Sequence, residues 1–360
     1  MERVFNFYPG PATLPVEVLE KARDEMLNYK GSGMSIMELS HRSRLFSELM
    51  EETEKLFIDI MEIPEGYSVL FLQGGASTQF LMVPMNLMSG NKKADYIVTG
   101  SWSEKAVKEA KLFGEVRIVA SSKDKNYSYV PFVGSEKFDS NADYVHITTN
   151  NTIYGTRFFY IPDTGNIPLV ADMSSNIMSE KIEVEKFGLI YAGAQKNLGP
   201  AGVTVVIIRN DLIEKAKNEI PTMLKYKTHA EKHSLFNTPP CFNIYICNLV
   251  LKWVKNIGGL AEIERRNKEK AKILYDFLDQ SEFFIPTAEK ESRSLMNVTF
   301  LLRDEKLNEV FIEEAEKEGL IGLKGHRSVG GMRASLYNAM SVEGVKKLVS
   351  FMKDFEARYG

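Results

Sequence analysis

Cysteine is nearly missing from this chain: Cys241 and Cys247 are the two, lying in one apolar stretch with no Cys-x-x-Cys pair. That pattern excludes a disulfide framework and a thiolate zinc site, and it suits reduced, buried thiols in a cytoplasmic protein with no metal. Long hydrophobic runs are lacking too; stretches such as "VTVVII" are far too short to span a bilayer. The opening "MERVFNFYPGPATLP" has no apolar signal-peptide core, so secretion is not expected. Nor does one sign of charge dominate, since 45 Lys and Arg face 48 Asp and Glu, leaving a net charge of -3. No broad basic field therefore invites nucleic acid or an anionic membrane, and any anionic ligand must be held by a few placed residues.

What is present is ordinary globular sequence, 44% hydrophobic and without repeats or low-complexity tracts. Its 360 residues exceed one small core and predict two domains. Short apolar runs alternate with amphipathic helical patterns through the first part of the chain. "YSVLFLQ", "DYIVTG", "EVRIVA", "YVHITT", "PLVADM", "LIYAG" and "VTVVIIR" read as strands, and "SRLFSELMEETEKLFIDIM" and "SEKAVKEAKLFG" as helices. Continuous apolar strands separated by helices predict an α/β class, a mostly parallel sheet with helices on both faces. A helical stretch, "CFNIYICNLVLKWVKN", stops at Gly258-Gly259, and a compact α+β pattern follows. The expected division is a large domain over 16–257 and a smaller C-terminal α+β domain over 258–360, joined by segment 1–15.

Ligands of such sheets collect at the C-terminal ends of the strands. "IYAGAQKNLGPAG" puts Lys196 just past one apolar strand, and "PLVADMSS" ends another with Asp172. A lone loop lysine ordinarily points to water, and a lone Asp there ordinarily caps a helix. Together they fit a pyridoxal phosphate enzyme, in which Lys holds the aldehyde and Asp keeps the pyridine nitrogen protonated. "LFLQGGASTQF" supplies an anion cradle: a strand, two glycines, then Ala76, Ser77 and Thr78 opening a helix. It is neither a Walker A loop nor a GxGxxG, which argues against a nucleotide. Trp102, in "TGSWSEKA", follows the next strand, while Trp253 lies in an apolar helical stripe and reads as core. The tripeptide HRS occurs twice, in "LSHRSR" and in "KGHRSVGGMR".

"NFYPGPATLP", "SHRS", "GGASTQF", "ADMSSNI", "YAGAQKNLGPAG", "FNTPP" and "KGHRSVGGMRASLYNAM" together closely resemble the phosphoserine aminotransferase family of fold-type I pyridoxal phosphate enzymes. The resemblance runs almost from end to end. It implies Lys196 as the Schiff-base lysine, Asp172 as partner of the pyridine nitrogen and Trp102 as the aromatic stacked on the ring. Ala76 and Ser77 match the cofactor-phosphate site, Thr152 the ring edge, and Gln195 a place beside the lysine. Asn237 and Thr238 match residues that reach the cofactor phosphate of the other subunit, which implies a homodimer. His41, Arg42, His326 and Arg327 match residues around the substrate phosphate, one His-Arg pair from each subunit, and Arg333 matches the grip on the α-carboxylate. The implied reaction links glutamate and 3-phosphohydroxypyruvate with 2-oxoglutarate and phosphoserine in serine biosynthesis. The family also allows a phosphorylated hydroxythreonine of the vitamin B6 route. Two departures stand out: "GGASTQ" replaces the GGGRGQ of some members, and Pro9 replaces a serine. The alternatives are another fold-type I enzyme, of the alanine–glyoxylate aminotransferase or cysteine desulfurase type, and a cofactor-binding protein without turnover.

Overall fold

All seven apolar runs pair into one sheet. In the computed structural model, which describes residues 3–216 and 219–360, they are β1 (Tyr67–Leu72), β2 (Lys93–Val98), β3 (Glu115–Ser121), β4 (Tyr144–Thr148), β5 (Leu169–Asp172), β6 (Leu189–Gly193) and β7 (Thr204–Arg209). The order across the sheet is β1-β7-β6-β5-β4-β2-β3, with β7 antiparallel to both neighbours and the remaining pairs parallel. Alternate residues serve two cores. Val69, Phe71, Val145, Ile147, Val205 and Ile207 face one layer, and Leu70, Leu72, Tyr144, Val170, Val206 and Ile208 face the other. Both sets are apolar, which is why these strands read as continuous hydrophobic runs.

The first layer holds α1 (Val16–Asp24), α2 (Arg44–Met61) and, much later in the chain, the helix Cys241–Asn256. Phe46, Leu49, Met50, Thr53, Leu56 and Phe57 form the buried stripe of α2 at helical spacing. Its N-cap is Ser43, whose side chain accepts the Phe46 amide at 3.3 Å, so the first HRS segment sits where α2 begins. The opposite layer holds α3 (Gly75–Leu87) and α4 (Ser101–Ala110). Each starts within three residues of a strand end, so both helix N-termini lie along the C-terminal edge of the sheet.

Helix α5 (Cys241–Asn256) ends at Gly258 (φ +115°) and Gly259 (φ +72°), left-handed conformations that suit glycine and separate it from α6 (Gly259–Leu278). Beyond lie β8 (Phe284–Pro286), β9 (Asn297–Leu302), α7 (Asn308–Lys317), β10 (Met332–Ser335) and α8 (Val342–Tyr359). The three strands form an antiparallel sheet covered by these helices around a second core rich in phenylalanine. Phe5–Asn6 pairs in parallel with Leu320–Ile321, and Phe7 is buried in that same second core. Two sequence expectations are softened. Cys241 and Trp253 are half-buried rather than core, because each lies on the rim of the α5 packing face. Among the described residues no helix is long and apolar enough to cross a membrane.

Between the two cores, α6 buries Lys270 completely, with its amine donating to the carbonyls of Leu336 at 2.8 Å and Tyr337 at 2.7 Å. Burial pushes that amine down to about 7 from the usual 10.5, and a neutral amine has two N–H groups for two acceptors. Between pH 7 and 10.5 the unfolded chain therefore holds a proton that the folded chain has lost, so stability rises with pH through this window. Thermal unfolding of the wild type and Lys270→Met between pH 7 and 9 should show the wild type gaining relative to the variant. Parallel curves would mean that Lys270 stays charged when buried.

Candidate active site

Strand register builds the centre of the site. Val170, Ala171 and Asp172 of β5 pair with Leu189, Ile190 and Tyr191 of β6, so both strands finish at one edge and both loops open there. Asp172 is the last residue of β5, and Lys196 lies three residues past the end of β6. A cavity of about 340 Å³ between these strand ends is lined by Ala76, Ser77, Trp102, Thr152, Asp172, Gln195 and Lys196, among others. Seven residues singled out from the sequence thus share one concave site. Backbone geometry delivers the cradle: Gly74 (φ +91°) and Gly75 (φ +67°) turn the chain from β1 into α3. A Cβ on Gly74 would collide with the Thr78 side chain. The first-turn amides of α3 have no partner within the helix and make an anion site at its positive end.

Electrostatics sets the two ionisable groups against each other. Burial pushes the Asp172 carboxyl up, while the Ser174 amide, donating to Oδ1 at 2.9 Å, and the Lys196 charge pull it back. Ser174 is itself fixed, its hydroxyl accepting the Gly193 amide at 3.2 Å. Lys196 keeps some exposure to the cavity it lines, yet protein surrounds it, and this desolvation pushes its amine down to about 8. The Asp172 carboxylate opposes that fall and the Arg333 guanidinium adds to it. Lys196 Nζ donates to Thr152 Oγ1 at 2.7 Å, and the Thr152 carbonyl accepts from Arg333 at 3.3 Å. Arg333 is buried, with its Nε lacking a partner, and the Trp102 indole N–H is likewise unpartnered.

The remaining predicted residues divide between two places. His326 is half-buried and Arg327 exposed on the loop before β10, near Arg333. Burial first, then the charges of Arg333, Arg327 and Lys105, lowers the His326 pKa. Neither His326, Arg327 and Arg333 nor His41, Arg42, Asn237 and Thr238 are among the residues that line the cavity. His41 Nδ1 lies 3.2 Å from Thr238 Oγ1, and Gln73 Nε2 donates to the Thr238 carbonyl at 3.4 Å, so these segments gather beside the Gly74 turn. His41 Nε2 is buried without a partner.

Sequence reasoning missed Ser174, Asn150 and Tyr337. Asn150 lines the cavity and donates to Asn297 Oδ1 at 2.9 Å; Asn297 donates to the Tyr337 hydroxyl, which donates to the Pro9 carbonyl at 2.7 Å. The chain thus ties the cavity floor to the second core, and Pro9 contributes a carbonyl that any residue there would provide. Only Ser174 left a signal, a hydroxyl two positions past the strand-ending acid.

These features define a class of protein. The family model for class-V aminotransferases matches residues 4–348, and the chain belongs to that family. More specifically, it is 56% identical over 356 residues to a phosphoserine aminotransferase of Bacillus cereus, covering 99% of each chain. A solved phosphoserine aminotransferase from Bacillus circulans subsp. alkalophilus superposes with a TM-score of 0.97 at 49% identity, covering 100% of both chains. A pyridoxal-phosphate-bound phosphoserine aminotransferase from Trichomonas vaginalis gives 0.93 at 39% identity, covering 98% of this chain and 100% of that one.

An amine adds to an aldehyde in its neutral form, so the expectation that Lys196 carries the cofactor can be read from the pH at which it reacts. Its rate of reaction with pyridoxal phosphate should therefore rise with pH to a midpoint near 8 rather than 10.5. Removing the raising charge, in Asp172→Asn, should move that midpoint down, and removing the lowering charge, in Arg333→Gln, should move it up. Stopped-flow absorbance against pH reads both shifts, and identical midpoints in all three proteins would contradict the electrostatic account.

Proposed function

We propose that this chain is a pyridoxal-phosphate-dependent aminotransferase that interconverts 3-phosphohydroxypyruvate and L-glutamate with O-phospho-L-serine and 2-oxoglutarate in serine biosynthesis. The observation that carries the reading is Asp172 and Lys196 on adjacent strand ends in one cavity, with a helix-start anion cradle on one side. The residues fit the cofactor: the α3 amides, Ala76 and Ser77 would hold its phosphate, Asp172 its ring nitrogen and Trp102 a ring face. Bound there, pyridoxal phosphate supplies an aldehyde carbon that carries the amino group and a ring that stores the electrons released when the α-proton leaves.

The chain supplies positioning and proton transfer. Lys196, with an amine near 8, would carry the proton from the substrate α-carbon to the carbon that takes up the amino group, and in the opposite half-reaction would carry it the other way. Thr152 accepts a hydrogen bond from Nζ and so aims the lone pair. Burial pushes the Asp172 carboxyl up and Ser174 and Lys196 pull it back, and this group would hold the proton of the ring nitrogen. Arg333 meets the α-carboxylate that both amino-acid substrates present. His326 and Arg327 then face a phosphate at the cavity rim, where an arginine fork meets two oxygens of the dianion. An alanine–glyoxylate aminotransferase or a cysteine desulfurase would have no use for such a rim.

Each site is completed by a second copy of the chain. His41, Arg42, Asn237 and Thr238 lie together outside the cavity of their own chain, on segments that expose Met34, Met37 and Phe236. Exposed apolar side chains around placed polar ones suit a subunit interface. The free thiols Cys241 and Cys247 suit the reducing cytoplasm.

Half-reaction spectroscopy of the holoenzyme tests the substrate. Losing one charge-assisted contact, in Arg42→Ala or Arg327→Ala, should lower the phosphoserine-to-serine ratio of kcat/KM by about ten- to a hundredfold. An unchanged ratio would remove the phosphate from the reading. Shared sites make a separate forecast: inactive Lys196→Ala chains mixed with weakened Arg42→Ala chains should form hybrid dimers that turn over phosphoserine faster than either parent. Sedimentation at the mass of a single chain, with full activity, would defeat it.

A further inference from the structure

The loop carrying His326 lies within electrostatic reach of α4, whose Trp102 lines the cavity. Val329 packs against the same core cluster as Trp102 and Ala76, and His326 senses the charge of Lys105. Lys105 follows Trp102 by three positions, so both lie on one face of α4, and its Nζ rests 4.3 Å from the centroid of the Trp102 ring. No carboxylate holds it. Glu104, its neighbour in sequence, is engaged instead by Lys123 at 2.8 Å and by the Tyr127 hydroxyl at 2.6 Å. Among the described residues, Lys105, Arg327 and Arg333 form no ion pair, although Lys and Arg elsewhere on the surface are bridged to acids repeatedly. All three bear on His326, and unpaired cations gathered within reach of one another are costly unless an anion visits them.

We propose that Lys105 is a specificity residue for the phosphorylated substrate, its ammonium leaving the Trp102 face to join His326 and Arg327 around the phosphate. This rests on the phosphoserine reading above. A lysine is suited to the part: its long stem lets a point charge swing between a ring face and a mobile anion. A second negative charge on the phosphate doubles the attraction compared with a single carboxylate, so Lys105 discriminates between the two amino donors by charge.

Half-reactions of the holoenzyme with phosphoserine, serine and glutamate, followed by cofactor absorbance at low and high salt, separate the two readings. The wild-type preference for phosphoserine over serine tests the substrate class by itself. For Lys105, the ratio of kcat/KM for phosphoserine to that for glutamate should fall about fivefold to tenfold in Lys105→Gln. It should return to within about twofold of the wild type in Lys105→Arg. The loss should lie in KM rather than kcat and should shrink at high ionic strength, since exposed charges are screened. An unchanged ratio overturns the proposal while leaving the phosphoserine reading standing. Equal losses for both donors also overturn it, because Lys105 would then act only by propping Trp102. Should the wild type fail to prefer phosphoserine, the substrate reading falls first and Lys105 loses its ligand.

Discussion

Withdrawing a carboxylate and an amine from water at the same place is the constraint on which the rest of this structure depends. Each alone is expensive to bury, and each lowers the cost of the other only while the two stay close. Parallel pairing of β5 with β6 fixes that proximity, since Asp172 sits opposite Tyr191 and the Lys196 loop leaves the same edge. Ser174 and Thr152 then supply hydrogen bonds that the lost water would have made, with Ser174 itself held by the Gly193 amide. A sheet covered on both faces is what makes such withdrawal achievable, because apolar side chains of two layers exclude solvent from the strand ends.

The same constraint explains which parts of the molecule were legible in the sequence. Six strands of the large sheet show as apolar runs because burial on both faces leaves little polar alternation to confuse with a loop, while the half-exposed edge strand β3 shows by its β-branched residues alone. The order of strands and the reversed direction of β7 were not legible, for an apolar run carries no mark of its direction. Asp172, Lys196 and the Gly74-Gly75 turn could be found because each combines a strand end with an unusual residue for that place. Asn150, Asn297 and Tyr337 could not. Their hydrogen bonds join positions 147 and 40 residues apart, and an asparagine within a strand announces no partner. The second core likewise recruits Phe5 and Phe7 from the far end of the chain, a pairing that local pattern cannot foretell.

Charge is distributed on a different principle from packing. The chain as a whole is slightly acidic, at -3, so no long-range field draws an anionic substrate inward. Attraction must be local, and it is local where cations go unpaired. Arg333 reaches the interior through the Thr152 carbonyl and spends none of its charge on a carboxylate. At the rim, His326 carries the mark of that arrangement, its proton disfavoured by burial and by three cations at once. A dianion arriving there reverses the sign of the local balance: it relieves the repulsion among the cations and favours the protonated imidazole in one step. If the substrate phosphate binds there as proposed, binding and protonation of His326 would be coupled, more strongly for a phosphate than for a carboxylate. On the proposed reading, one site would accept two amino donors through a shared α-carboxylate grip while ranking them by the charge at their far ends.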